Sequence, residues 1–414
     1  MAASNSSKSS SLAWTLWAIA ALFYAFQYIL RVCPSVMKED MMVKFLTDAS
    51  GFGTFSGIYY MGYAAAHLPI GVLLDRFGPK WVMASCVMVS VLGVLPLVLS
   101  TSWELAILGR FLVGAGSSGA ILGVFKIVRL YFPDAQFSRV LGLSVTMGLA
   151  GALYGSYPVG RLSATFGWEN VLLGLFVGGA LLAVVMALVT PRAPKETLEE
   201  KGTLLRDLRL VFTNKFVLVT ALAAALMVGP LEGFADVWAN SYLVNVYGYS
   251  AEAASFLPSL IFIGMGVGSP VLGYLAQRWH AYYGVTLGCA LGMAVLFALL
   301  LVVQLPFIII AACFFLIGMM SAYQVLALYM NSKNVDERLS GIVTALTNMI
   351  IMSFGYLFHM VISKVMVHFW DGQAVGCLPV YSAMSYIKGL SVIPLTLMLG
   401  FMGFWWVKRA TKQA

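Results

Sequence analysis

Twelve predominantly apolar runs follow one another along this 414-residue chain, at 13–37, 51–74, 81–100, 104–131, 138–162, 168–190, 216–241, 254–276, 281–303, 305–330, 340–366 and 387–407. Each reaches the roughly 20 residues that a helix needs to cross a hydrocarbon layer about 30 Å thick. A soluble protein has nowhere to bury that much apolar surface. Only 10% of the residues are charged and 61% are hydrophobic, whereas soluble domains carry about 25% charged residues. The reading is an all-α membrane protein of twelve transmembrane helices, with the lipid bilayer as its solvent.

Charge placement tests the count. With the N-terminus in the cytoplasm, seventeen of the 25 basic residues fall on the cytoplasmic side and five on the opposite side, with Arg31, Arg110 and Lys126 left inside spans. That bias fits twelve spans with both termini cytoplasmic, and a bacterial inner membrane is the expected location. The net charge of +8 then sits in short loops and is no nucleic-acid footprint. The five cysteines are scattered without metal or disulfide spacing, and His67, His280, His359 and His368 share no motif, so no metal and no cofactor is expected. Residues 1–11 resemble no cleavable signal, and the first apolar run reads as the first span. The longest polar connection, 191–215, opens with Pro191-Arg-Ala-Pro194. Its Lys195–Leu210 stretch mixes charge with leucine like a short amphipathic helix on the membrane. It divides the chain into an N-terminal six-helix bundle (1–190), a linker (191–215) and a C-terminal six-helix bundle (216–414).

Between the second and third runs stands Gly71-Val-Leu-Leu-Asp-Arg-Phe-Gly-Pro-Lys-Trp81. Asp75 and Arg76 are costly in hydrocarbon, so this is a tight hairpin at a membrane surface. Gly71 and Gly78 allow the sharp turn. The spacing Gly-x-Leu-x-Asp-Arg-x-Gly-x-Lys resembles the signature loop of the major facilitator superfamily of solute transporters. Gly273-Tyr-Leu-Ala-Gln-Arg-Trp279 repeats it 202 residues later, with Gln277 in place of Asp75. Arg110-Phe-Leu-Val-Gly-Ala-Gly116 is similar to the superfamily's fourth-span pattern. The Gly-rich fifth span lacks the Gly-Pro pair of its drug–proton antiporters. The resemblance implies two pseudo-symmetric bundles, a solute site between them, alternating access, and a monomer. Gly71, Asp75, Arg76, Gly78 and Arg110 are the expected gating residues.

Ionisable residues within spans are functional candidates because hydrocarbon penalises them. Tyr24, Gln27, Tyr28 and Arg31 follow i, i+3, i+4, i+7 spacing and form one polar stripe on the first helix. That stripe resembles the first span of organophosphate–phosphate exchangers and their organic-anion relatives, whose arginine binds the anionic group. Arg31 snorkelling to the surface is the alternative. Lys126, near the end of the fourth span, is similar to a cationic residue of the same relatives. Glu232 and Asp236 lie four apart on one face of the seventh span, just after a helix-interrupting Gly229-Pro230. The exchangers place an arginine in that span, which argues against phosphate esters here. A structural Arg31–Glu232 ion pair is the rival reading. Tyr323, Gln324 and Asn348 either line the cavity or form interhelical hydrogen bonds.

No phosphate loop or nucleophile motif occurs, so no enzyme activity is expected. The expectation is a secondary active transporter that imports a small organic anion or amino-acid-like metabolite with protons. Arg31, Tyr24, Gln27, Tyr28, Lys126, Glu232, Tyr323, Gln324 and Asn348 would meet the solute, and Glu232 and Asp236 would carry the proton. The alternative is export of a drug-like or siderophore compound.

Overall fold

Hydrocarbon offers no hydrogen-bond partner, so each apolar run closes its own N–H and C=O groups as a helix. The computed structural model describes residues 2–192, 209–335, 339–375 and 378–413. Among these residues, twelve helical spans are long and apolar enough to cross a bilayer. Spans 1 to 6 are Ser11–Val36, Ala49–Phe77, Pro79–Leu99, Trp103–Tyr131, Arg139–Phe166 and Trp168–Val189. Spans 7 to 12 are Lys215–Tyr247, Ala251–Arg278, Tyr282–Val302, Phe307–Lys333, Gly341–His368 and Ala383–Thr411. The all-helical reading holds, and most boundaries move outward by a few polar or aromatic residues. A four-residue hairpin, Ala374–Val375 against Leu378–Pro379, precedes span 12. The expected amphipathic stretch, 195–210, falls mostly on 193–208, outside the described residues.

The chain divides into two units, Met1–Cys33 with Met61–Glu199 and Pro34–Tyr60 with Glu200–Ala414. The division does not follow sequence order. The end of span 1, the short helix Lys38–Phe45 and the first half of span 2 belong with the C-terminal spans.

In the first unit, span 1 lies against span 5 because span 5 removes its side chains there. A Cβ added at Gly148 would strike the rings of Tyr24 and Tyr28, one at Gly151 the backbone of Ala25, and one at Gly155 the backbone of Ile29. Small residues at this spacing let two helix backbones approach closely. Arg110, on span 4 and buried, donates from Nη1 to the Leu30 carbonyl (2.6 Å) and from Nη2 to the Arg31 carbonyl (2.8 Å). Those carbonyls end the α-helical part of span 1, where Cys33–Val36 tightens into a 3₁₀ turn. A guanidinium fork answers both the orphan carbonyls and the negative end of the helix dipole. Between spans 2 and 3 the chain turns within one residue at Gly78, whose φ of +75° suits glycine.

The sequence repeat reappears as packing inside each unit. In the first, Gly62 of span 2 admits the Phe111 carbonyl and the Ala115 nitrogen of span 4. In the second, Gly264 of span 8 admits the Phe315 carbonyl and the Met319 nitrogen of span 10. Gly264 follows Gly62 by 202 residues, as Gly273 follows Gly71. Spans 4 and 10 are also broken alike, at Ser118 and Ala322.

Four variants check this packing by thermal unfolding in detergent. Gly151→Ala overfills the span 1–span 5 seam and destabilises by about 2 kcal/mol. Gly174→Ala, facing open space on span 6, gains up to about 1 kcal/mol of helix propensity. Arg110→Leu strands two buried carbonyls and costs about 3 kcal/mol, and Arg110→Lys, which cannot serve both with a rigid fork, falls between leucine and arginine.

Candidate functional site

Span 7 is not a uniform helix. Lys215–Leu226 is α-helical, Gly229–Trp238 is a π-helix, and Ala239–Tyr247 is α-helical again. Pro230 lacks an N–H, so the regular i→i−4 ladder cannot pass through it. The chain widens to i→i+5 bonding instead of breaking at Gly229-Pro230. Such wide turns recur at functional sites. Gly229 and Gly233 also leave room for the Phe358 ring of span 11.

The wide turn holds Glu232 and Asp236, each only 1% exposed. One hydroxyl serves both. Tyr60, from the first half of span 2, lies 2.7 Å from Glu232 Oε2 and also hydrogen-bonds Asp236 Oδ2. The Tyr60 ring is tilted against the buried His359 ring of span 11, with centroids 5.6 Å apart. Gly355 of span 11 makes the space, since a Cβ there would enter the Tyr60 ring. Gly53 and Gly57 of span 2 do the converse: a Cβ at Gly53 would strike Ser363 and the His359 carbonyl, and one at Gly57 would strike Tyr356. A Gly-x-x-x-Gly seam on span 2 thus seats Tyr60 on the carboxylates.

A second buried charge lies at the start of the same segment. Lys38 Nζ donates to Ser241 Oγ (3.2 Å) and Tyr386 Oη (3.3 Å). It also stands 4.7 Å from the Trp238 ring centroid and 5.4 Å from that of Tyr386. Hydroxyls and aromatic faces hold this ammonium.

The other sequence candidates are distributed as follows. Arg31 is buried with its guanidinium 5.0 Å from the Tyr28 ring centroid. Tyr24 and Tyr28 meet edge to face at 5.3 Å, Gln27 is buried between them in sequence, and all four residues lie in the first unit. Lys126 reaches Asp75 Oδ1 at 3.1 Å, which joins a solute candidate to a gating candidate. With the Asp75 side chain 57% exposed, that pair contributes little stability. Arg76 points to the Phe77 ring, 5.4 Å from its centroid. Tyr323 is fully buried and donates to the Ala224 carbonyl of span 7 at 2.6 Å. It thereby adds a second donor to the Ala224 carbonyl, which also accepts from the Met227 N–H near the end of the α-helical part of span 7. Gln324 is buried and Asn348 half-buried.

Sequence reasoning passed over Tyr60, Lys38 and the seam. Gly53-x-x-x-Gly57 was a readable signal, and His359 was readable as an ionisable residue within a span. Tyr60 carried none, because a tyrosine in an apolar run is as often a ring at the membrane interface.

Known proteins give the arrangement its context. A sequence model described as Major Facilitator Superfamily matches residues 16–359. A hexuronate transporter of Bacillus subtilis is 25% identical over 276 residues, which cover 64% of this chain and 64% of that one, just under two thirds. The "Probable galactarate/D-glucarate transporter GudP" of the same organism is 24% identical over 286 residues, 61% of this chain and 62% of that one. Among solved structures, a bacterial homologue of the human lysosomal transporter Spinster superposes with a TM-score of 0.78 at 16% identity, over 96% of this chain and 97% of that one. The nucleoside transporter NupG superposes with a TM-score of 0.73 at 15% identity, over 96% and 98%. At such identities the structures speak for the fold. The match over most of the chain, on twelve spans with the repeated loop, places this protein in the Major Facilitator Superfamily.

Proposed function

We propose that the chain is a secondary active transporter that imports a small organic acid anion, of the sugar-acid class, together with protons. The observation that carries this reading is the buried Glu232–Asp236 pair under the Tyr60 hydroxyl. Two carboxyl groups sharing a site do not both keep a negative charge without penalty, so such a pair takes up and gives back a proton readily. A transporter that holds it away from water has a use for that proton.

The solute class rests on two supports. Relatives of known name carry hexuronate and galactarate or glucarate, both carboxylated sugars. The first span presents a buried arginine with Tyr24, Gln27 and Tyr28 on one stripe, the donor set that a carboxylate and sugar hydroxyls need. In this reading Arg31 takes the carboxylate, and Tyr323, Gln324 and Asn348 supplement it from the C-terminal half. Lys126 and Asp75 form part of the inner gate, with Gly71, Arg76 and Gly78 shaping the hinge. The two six-helix halves, 1–190 and 216–414, expose the solute alternately. Both termini then lie in the cytoplasm, and a single copy suffices.

The test is uptake into proteoliposomes of radiolabelled galacturonate and glucarate under an imposed pH gradient, acid outside. Wild type accumulates at least one of them above equilibrium. Glu232→Gln abolishes that accumulation while exchange of internal for external solute survives, because exchange needs no net proton movement. Accumulation that persists in Glu232→Gln would reject the coupling role, and indifference of wild type to the gradient would reject proton coupling itself.

A further inference from the structure

Lys38 is 5% exposed, yet among the described residues no carboxylate comes within ion-pair distance of its ammonium. Glu39 and Asp40, its neighbours in sequence, are exposed. A buried charge without a counter-ion carries a large desolvation penalty. The Trp238 and Tyr386 rings and two hydroxyls lessen that penalty without neutralising the charge. Lys38 also opens the helix Lys38–Phe45, where a cation opposes the helix dipole.

The groups around this ammonium hold more donors than acceptors. Ser241 Oγ accepts from Lys38, and Tyr386 Oη accepts from Lys38 and from Asn245 Nδ2, the latter at 3.3 Å. Neither hydroxyl proton finds an acceptor among the described residues. The Trp238 ring, 4.7 Å from the ammonium and wholly buried, carries an Nε1–H that has no hydrogen-bond partner either. An ammonium, two hydroxyls and an indole N–H therefore gather with no anionic oxygen among them. Phe52 packs edge to face on Trp238, with centroids 6.4 Å apart, and walls that side with hydrocarbon, where charge interactions are stronger than in water. Asn245 is exposed, which puts Tyr386 one hydrogen bond from the surface.

A carboxylate offers about four acceptor positions on two oxygens and no donor, which complements this set of donors. Resting on the organic-anion reading above, we infer that Lys38, Trp238, Ser241 and Tyr386 form a carboxylate-binding site of the second unit, additional to the Arg31 stripe of the first. Lys38 joins spans 1 and 2, Trp238 and Ser241 lie in the second half of span 7, and Tyr386 begins span 12. Counting crossings puts all of these at one side of the bilayer, the outer side in the proposed orientation, so the site meets an incoming acid. It selects by charge: a neutral sugar leaves the ammonium uncompensated, and a sugar acid answers it.

The indole N–H of Trp238 makes the site observable. The chain has ten tryptophans, and nitrogen-15 spectra of the full-length protein in nanodiscs show their indole signals, with Trp238→Phe identifying the one that matters. Sodium galacturonate or sodium glucarate moves that signal downfield, saturably, as the N–H gains a carboxylate acceptor. Galactose, and sodium chloride or phosphate at equal concentration, leave it in place. Lys38→Gln abolishes the movement, Lys38→Arg keeps it, and Arg31→Gln keeps it too. Movement that survives in Lys38→Gln overturns the assignment. So does movement lost in Arg31→Gln, since the indole would then be reporting the first-unit site. An equal response to chloride or phosphate overturns the carboxylate class. Should Lys38→Gln not fold, Tyr386→Phe decides: loss of one hydroxyl donor to a charged group weakens the titration about tenfold, and an unchanged midpoint overturns the assignment. Calorimetry on wild type separates the two failures. If an acid binds and the Trp238 signal stays still, Lys38 only fastens its segment and this site falls alone, whereas if neither acid binds the organic-anion reading falls with it.

Discussion

A carboxylate taken out of water costs several kcal/mol unless its charge is answered or neutralised. Span 7 carries two, four residues apart and almost wholly buried. Much of the surrounding structure is the means of keeping them there. The π-turn sets both on one side of the helix, Gly355 clears a place for the Tyr60 ring, and Gly53 and Gly57 bring span 2 close enough for its hydroxyl to reach both groups. Relaxing any of these would cost the pair its shared hydrogen-bond partner.

The first unit uses its charges differently. Arg110 spends two donors on the carbonyls that end the α-helical part of span 1, so it fixes the frame on which the Tyr24–Arg31 stripe is displayed. Asp75 and Lys126 meet at the polar end of spans 2 and 4, where water screens them. Span 4 thus carries two cations with different partners, Arg110 on backbone carbonyls and Lys126 on a carboxylate. The repeat carries the frame and drops the charges: Gln277 stands at the position of Asp75 and Phe314 at that of Arg110, while Gly264 keeps the packing of Gly62.

Fold and family were legible because hydrocarbon leaves few options. An apolar run of sufficient length must be a helix, and Gly71–Trp81 could only be a surface turn. Glu232 and Asp236 were legible for the same reason, since a charge inside a span announces itself. Tyr60 was not. Its importance comes from what lies opposite it, 172 residues away, and no local pattern encodes a partner at that separation. The grouping of residues 34–60 with the C-terminal spans was hidden likewise, because it depends on which faces of two remote helices are smooth. The wide turn of span 7 was half legible: Pro230 predicts an interruption, but whether the chain breaks or widens depends on the room that Gly229 and Gly233 leave for Phe358.

These features describe a Major Facilitator Superfamily transporter in which one buried acid pair is seated under a single tyrosine hydroxyl. The central claim is that the carboxyl pair takes up the proton that travels with the solute. Its most direct test is the pH of a weakly buffered suspension of proteoliposomes when solute is added without an imposed gradient. Entry of solute through the wild-type protein should make the outside medium alkaline, and the Glu232→Gln/Asp236→Asn protein should exchange solute with no alkalinisation. Alkalinisation of equal size in both would contradict the account.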